Sequence, residues 1–289
     1  MAYRLRVASE ARPDRRLGDP DVVGAPADTT DEWRRMLTAS DSNLPAIRRW
    51  LGRLPSDPRC KMCATPFRGP GRVLTKVINH GPSQSNPLLC SLCFRHLRDS
   101  PGGAEVELSI LFADIRGSTG IAERASAAEF RALVQQFYYR ASRAINGHDG
   151  VVDKFLGDGI MALFLPVVTG GQHAARAIEA GEALLREVMD RQLIAGGVGV
   201  GVGVHTGEAF VGAVGTDDRL DFTALGDAVN VAARLGGAAG AGELLVSEAA
   251  WRAAGRSDPG ERRRQPIHGR AEPLDVVVVS AREAAPVVA

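Results

Sequence analysis

Two stretches, Leu108–Thr119, LSILFADIRGST, and Val152–Phe164, VDKFLGDGIMALF, decide how this chain is read. The first is an apolar run, Leu108 to Phe112, that delivers a carboxylate, Asp114, at its end. Its β-branched and aromatic members predict a buried strand. Gly117, Ser118 and Thr119 follow as a small-residue turn. Such a turn leading into a helix leaves backbone N–H groups free to cradle a phosphate. The second stretch repeats the device, with Gly157-Asp158-Gly159 as a tight turn between Val152–Leu156 and Ile160–Leu165. Two strand-end carboxylates beside a phosphate-ready turn point to a pair of Mg²⁺ ions gripping a nucleoside triphosphate. Taken singly, either Asp reads as a solvated turn residue.

Outward from this centre, composition sets limits. The chain has 289 residues, 45% of them hydrophobic and 24% charged, with a formal net charge of +1. That is enough for one ordinary core plus an appended module. No global field recruits nucleic acid or anionic membrane. The Arg262-Arg263-Arg264 cluster reads as a solvated face. No apolar run approaches a membrane span, and MAYRLRVASEARPDRR lacks a signal-peptide core, so a cytoplasmic location is expected.

Upstream, residues 1–29 are polar and predict a mobile arm. A small helical module follows over 30–99. It holds helix candidates at Asp31–Ala39 and Leu44–Leu54, the second with Leu44, Ile47, Leu51 and Leu54 on one face. Trp33 and Trp50 are expected in its core. Cys60-Lys-Met-Cys63 and Cys90-Ser-Leu-Cys93 then form two CxxC knuckles. In a cytoplasmic chain these predict metal ligation rather than disulfides, with a structural Zn²⁺ first and an iron–sulfur cluster as its rival. Their separation is longer than the usual zinc-ribbon spacing, and His80 and His96 are potential substitute ligands that read first as ordinary loop and helix-end residues. No basic recognition helix adjoins the knuckles, so nucleic-acid binding is not expected.

Downstream, DSPGGA (Asp99–Ala104) is the linker and a second domain spans 105–282. Ser126-Ala-Ala-Glu129 is a capping box that opens a helix with Phe130, Leu133, Val134, Phe137, Ala141 and Ile145 on one face. A second helix runs from about His173 to Met189. Val198–Thr206 and Glu208–Val214 read as a hairpin turning at Thr206-Gly207, with glycines placed for close backbone approach. DFTALGDAVNVAARL, a strand at Leu244–Ser247, a short helix and a strand near Leu274–Ser280 complete an α+β sandwich.

With FADIRGST, VDKFLGDGIMALF, GVGVHTGEAFVGAVG and DFTALGDAVNVAARL in this order, the chain resembles the class III nucleotide cyclase homology domain, the catalytic module of adenylyl and guanylyl cyclases. The resemblance covers about Val106–Ser280. It implies a ferredoxin-like βαββαβ core and a head-to-tail homodimer whose active sites lie between two domains. It further implies that Asp114 and Asp158, helped by the Ile115 carbonyl, bind two Mg²⁺ (or Mn²⁺). Lys154 and Thr223 match the purine-reading positions, and the Lys–Thr pair is similar to that of a bacterial adenylyl cyclase subgroup. Asn230 matches the ribose-orienting amide and Arg234 the transition-state arginine. A late lysine that contacts the triphosphate in the family has no counterpart here; His268 and Arg270 lie in that region, and Arg270 is the candidate.

The implied reaction is ATP to 3′,5′-cyclic AMP and pyrophosphate. The alternatives are a cyclase of relaxed specificity that makes cGMP, or a non-catalytic nucleotide-binding scaffold. The Cys₄ module is expected to regulate or assemble the dimer through an unidentified ligand or protein.

Overall fold

In the computed structural model the described residues are 27–38, 44–54, 58–76, 81–190, 199–216, 219–257, 260–267, 270 and 272–280. The arm expected over 1–29 lies outside them, save its last three residues, and so do His80 and His268.

The first strand, β1 (Gly103–Ile115), organises the rest by strict alternation. Ala104, Val106, Leu108 and Ile110 enter one core, whereas Leu111, Ala113 and Ile115 enter another. Successive side chains of a strand face opposite ways, so β1 is covered on both faces. Two helices follow, α5 (Ser118–Arg124) and α6 (Ala127–Gly147). The capping box predicted at Ser126 and Glu129 is present. Then come β2 (Val151–Leu156), β3 (Gly159–Phe164), a short α7 (Pro166–Thr169) and α8 (His173–Asp190). With β4 (Val200–Thr216), the strands lie in the order β2-β3-β1-β4, all antiparallel. This is the ferredoxin-like core that the family resemblance implies. Phe137, Ala141 and Ile145 of α6 and Ile178, Leu184 and Leu185 of α8 cover its odd-numbered β1 face.

Beyond β4 the chain adds β5 (Arg219–Leu225), α9 (Asp227–Ala238), β6 (Glu243–Ser247), α10 (Glu248–Ala253), β7 (Glu261–Gln265) and β8 (Leu274–Ser280). β6 lies parallel to β4, then β8 and β7 extend the sheet, while β5 pairs with the distal half of β4.

The hairpin expected at Thr206-Gly207 is instead one continuous strand, with β5 as the antiparallel partner of its distal half. Gly207 is there for clearance, since a Cβ on it would lie 3.2 Å from the Ala228 methyl of α9. The close approach read from the Gly/Val alternation is real: a Cβ on Gly203 would fall 2.1 Å from the Gly236 nitrogen. The Arg262–Arg264 cluster belongs to β7, where Arg263 pairs with Glu243 of β6 at 2.9 Å.

The N-terminal segment holds α1 (Ala27–Thr38), α2 (Leu44–Gly52), α3 (Gly71–Lys76) and α4 (Ser91–Asp99). It lies on the even-numbered face of β1. Trp33, Leu37, Phe67, Leu89, Phe94 and Leu97 share a core with Val106, Leu108, Val211 and Phe222. Trp33 stacks on Phe222 of β5, with ring centroids 6.4 Å apart. Trp50, expected inside, is 57% exposed, and Ile47 is exposed as well. The face of α2 turned inward carries Arg48 and Leu51 instead, because Arg48 finds carbonyl acceptors at Lys61 (2.9 Å), Met62 and Gly150 (3.1 Å). Three carbonyl contacts offset the cost of burying that guanidinium.

Candidate active site

β1 and β3 place the two strand-end carboxylates side by side. Asp114 is in register with Gly159, and the Ile115 N–H donates to the Asp158 carbonyl at 3.1 Å. Gly117, with φ of 70°, turns the chain left-handed into α5, so Ser118 Oγ donates to Asp158 Oδ2. Arg116, which the sequence reading passed over, presses its guanidinium against Asp114 and donates to the Gly237 carbonyl at the end of α9. Asp114 Oδ1 takes that contact, and both Asp114 and Asp158 are half-buried. Two half-buried carboxylates side by side suit a hard divalent cation, which takes oxygen ligands and would displace the arginine.

An open groove of about 610 Å³ adjoins these groups. It is lined by Ser118, Thr119, Gly157 and Asp158 on one side and by Phe130, Val134 and Tyr138 of α6 on the other. The Tyr138 hydroxyl donates to the Gly157 carbonyl, and burial together with the Asp158 charge raises its pKa, so it stays protonated. Lys154, Thr223, Asn230 and Arg234 do not line this groove.

Lys154 and Thr223 meet elsewhere. The register of β2 shifts between Val152 and Lys154, a bulge that lets consecutive side chains serve one site. Lys154 Nζ donates to Thr223 Oγ1 at 2.6 Å, although β2 and β5 are not neighbours in the sheet. Thr223 Oγ1 donates to Asp153 Oδ2 at 2.7 Å, and Lys154 Nζ reaches the same oxygen at 3.0 Å. Asp153 carried no signal in the sequence, because simple alternation would put it on the face opposite Lys154.

Asn230 and Arg234 lie one turn apart on α9, the first exposed and the second half-buried. Arg270 forms an ion pair with Asp227 in the first turn of that helix. It therefore reaches the helix that carries Asn230 and Arg234. Nearby, His205 Nδ1 lies 2.8 Å from Ser247 Oγ. Burial above all, then the Arg270 charge, pushes its pKa down to about 4 against the opposing pull of Asp227, so the imidazole is neutral at pH 7.

The four cysteines converge in the N-terminal segment. Their sulfurs all lie within 4.8 Å of one another, with Cys63 Sγ and Cys90 Sγ 3.7 Å apart. Tetrahedral thiolate bonds of about 2.3 Å put ligand sulfurs about 3.8 Å apart, so the cage fits a single ion rather than a cluster of several. The Cys90 N–H donates to Cys60 Sγ at 3.2 Å and the Cys93 N–H to Cys90 Sγ at 3.4 Å, as thiolate ligands require. His96 is no part of the cage and packs instead against Trp33.

Residues 104–277 match the family described as Adenylate and Guanylate cyclase catalytic domain. An adenylate cyclase of Anabaena cylindrica is 38% identical over 136 residues, 45% of this chain and 27% of that protein. Adenylate cyclase 1 of Rhizobium meliloti is 36% identical over 136 residues, 45% of this chain and 20% of that protein. The chain thus spans well under half the length of these curated relatives. Among solved structures, the adenylyl cyclase CyaB of P. aeruginosa is similar with a TM-score of 0.56 and 29% identity, covering 64% of this chain and 99% of that one. The guanylyl cyclase Cya2 also has a TM-score of 0.56, with 28% identity, covering 61% and 93%. In sequence and in fold, this chain belongs to the adenylate and guanylate cyclase catalytic domain family.

Proposed function

We propose that the chain is an adenylate cyclase that converts ATP to 3′,5′-cyclic AMP and pyrophosphate at a homodimer interface. Similarity of fold does not choose the base, since an adenylyl and a guanylyl cyclase match equally well. The observation that carries the choice is the Lys154–Thr223 contact at 2.6 Å, which unites two residues from strands that are not paired. An ammonium can only donate, so Lys154 suits the N1 acceptor of adenine and not the N1–H of guanine. The Thr223 hydroxyl keeps a lone pair for the adenine N6 amine.

Held by Asp114, Asp158 and the Ile115 carbonyl, two Mg²⁺ (or Mn²⁺) would lower the pKa of the ribose 3′-hydroxyl and neutralise the triphosphate. Asn230 orients the ribose for in-line approach of its 3′ oxygen to the α-phosphorus. Arg234 opposes the charge that develops on the α-phosphoryl oxygens, a task for a fixed planar cation. Gly117, Ser118 and Thr119 receive the phosphates at the α5 turn, and Arg270 adds a cation once it leaves Asp227. The four-cysteine cage takes a structural Zn²⁺, which ties the knuckles together.

The groove at Asp158 supports a shared site, because it reaches none of Lys154, Thr223, Asn230 or Arg234. A two-fold dimer would bring the metal half of one chain against the base and ribose half of its partner. The purified chain, given ATP and GTP in parallel with Mg²⁺ or Mn²⁺, is expected to release cyclic AMP and little cyclic GMP. Preferred turnover of GTP, or no cyclic product with either metal, would refute the assignment.

A further inference from the structure

The base pair of Lys154 and Thr223 is anchored to a carboxylate that the N-terminal segment neutralises. The Asp153 side chain is fully buried, and its two oxygens serve different partners. Oδ2 accepts from Lys154 and Thr223, while Oδ1 lies 2.5 Å from Lys61 Nζ. Lys61 is the residue after Cys60 in the first knuckle, and its side chain is 3% exposed. Its ammonium also meets Asp221 Oδ1 at 3.1 Å, and Asp221 Oδ2 lies 3.7 Å from Lys154 Nζ. The Lys61 backbone is pinned on both sides, its N–H donating to the Leu88 carbonyl at 2.8 Å and its own carbonyl accepting from Arg48. Asn86, from the segment between the knuckles, donates to Leu220 O at 3.0 Å and Asp221 Oδ1 at 3.3 Å. Two separate points of the Cys₄ segment therefore hold β5 and the start of the base site.

Counting charges shows what Lys61 does. Two ammonium groups, Lys61 and Lys154, face two carboxylates, Asp153 and Asp221. Without Lys61, Lys154 would be the only cation left to the buried Asp153 among the described residues, and a buried charge with little compensation holds its one counter-ion tightly. Lys154, already 3.0 Å from Asp153 Oδ2, would then be held there more tightly and kept from any ligand. The geometry points to Lys61 as a positioning residue for base recognition: from the Cys₄ knuckle it compensates Asp153 and so leaves the Lys154 ammonium free to turn to the purine. This rests on the cyclase reading and extends it, since discrimination between adenine and guanine then depends on a residue outside the catalytic domain.

The test uses the full chain and two nucleotides that cannot cyclise, 3′-deoxy-ATP and 3′-deoxy-GTP, titrated by calorimetry in Mg²⁺. Lys61→Met should bind 3′-deoxy-ATP about tenfold more weakly and lose a similar part of its preference over 3′-deoxy-GTP, within the range of coupling between contacting groups. Lys61→Met combined with Asp153→Asn removes the uncompensated charge and should return to within about threefold of wild type, because Asn can still accept from Thr223. A folded Lys61→Met protein with wild-type affinity and preference overturns the inference. If Lys61→Met alone does not fold, the double variant decides: folded but more than about tenfold weaker than wild type, it shows a purely structural lysine. Wild-type protein that binds neither nucleotide, or only the guanine one, overturns the cyclase assignment itself before any variant is read.

Discussion

The proposed metal end and the proposed base end of this site treat carboxylates in different ways. Asp114 and Asp158 stand half-buried beside an open groove, and a displaceable arginine leans on Asp114. Asp153, by contrast, is fully buried and meets Lys61, Lys154 and Thr223. A carboxylate proposed to accept a cation from outside stays within reach of solvent. One that must hold neighbours in place is compensated from within the chain. The difference separates a binding role from a positioning role without reference to any ligand.

Asp114→Ala and Asp153→Ala should therefore fail in different ways. The first is expected to lower turnover by at least about 10²–10³, the cost of losing a principal electrostatic group, with its melting temperature nearly unchanged. The second should destabilise by about 3 kcal/mol, because it leaves the buried Lys61 with the partly exposed Asp221 as its remaining partner, and thermal unfolding would show it. Similar melting temperatures for the two variants would erase the distinction.

Loss of a cage ligand should act on the base end alone. In Cys60→Ser, hydrogen exchange is expected to speed up in residues 58–100 and also in β5, since Trp33, Phe94 and Leu97 share a core with Phe222. The β2–β3 turn at Asp158 should keep its protection. Uniform loosening of both ends would contradict a cage that serves only one of them.

The smallest effect is a pH dependence at His205. Its folded pKa of about 4 lies below the unfolded value of about 6.5, so the unfolded chain takes up the proton first as pH falls. Stability is complete above about pH 6.5 and declines towards pH 4, by on the order of 2 kcal/mol once partial exposure is allowed for. Urea unfolding of wild type and His205→Gln at pH 7 and pH 4.5 should show a shallower decline in the variant. Parallel declines would remove His205 as the cause.

What was legible in the sequence was whatever rests on local pattern. The alternation in β1, the capping box at Ser126, the glycines of β4 and the two knuckles all state their physics in a few adjacent residues. Lys154 and Thr223 were legible only through resemblance to a family, because nothing local joins residues 69 apart. Asp153 stayed hidden behind a bulge that breaks alternation, and Lys61 behind the cysteines around it. Arg48 was hidden by its own chemistry, since its burial depends on carbonyls supplied by the knuckle and by Gly150. Thr206-Gly207 misled for a related reason: the same dipeptide serves a turn or a helix-packed strand, and α9 decides which.

The shared site is tested most directly by mixing two inactive chains. Asp114→Ala lacks part of the metal half, and Arg234→Ala lacks part of the opposite half. Each should be nearly inactive alone. A heterodimer of the two carries one doubly damaged site and one intact site, so mixtures that exchange subunits should recover about half the wild-type rate per heterodimer. Mixed chains that demonstrably exchange and still make no cyclic AMP would contradict a catalytic site built from two copies of this chain.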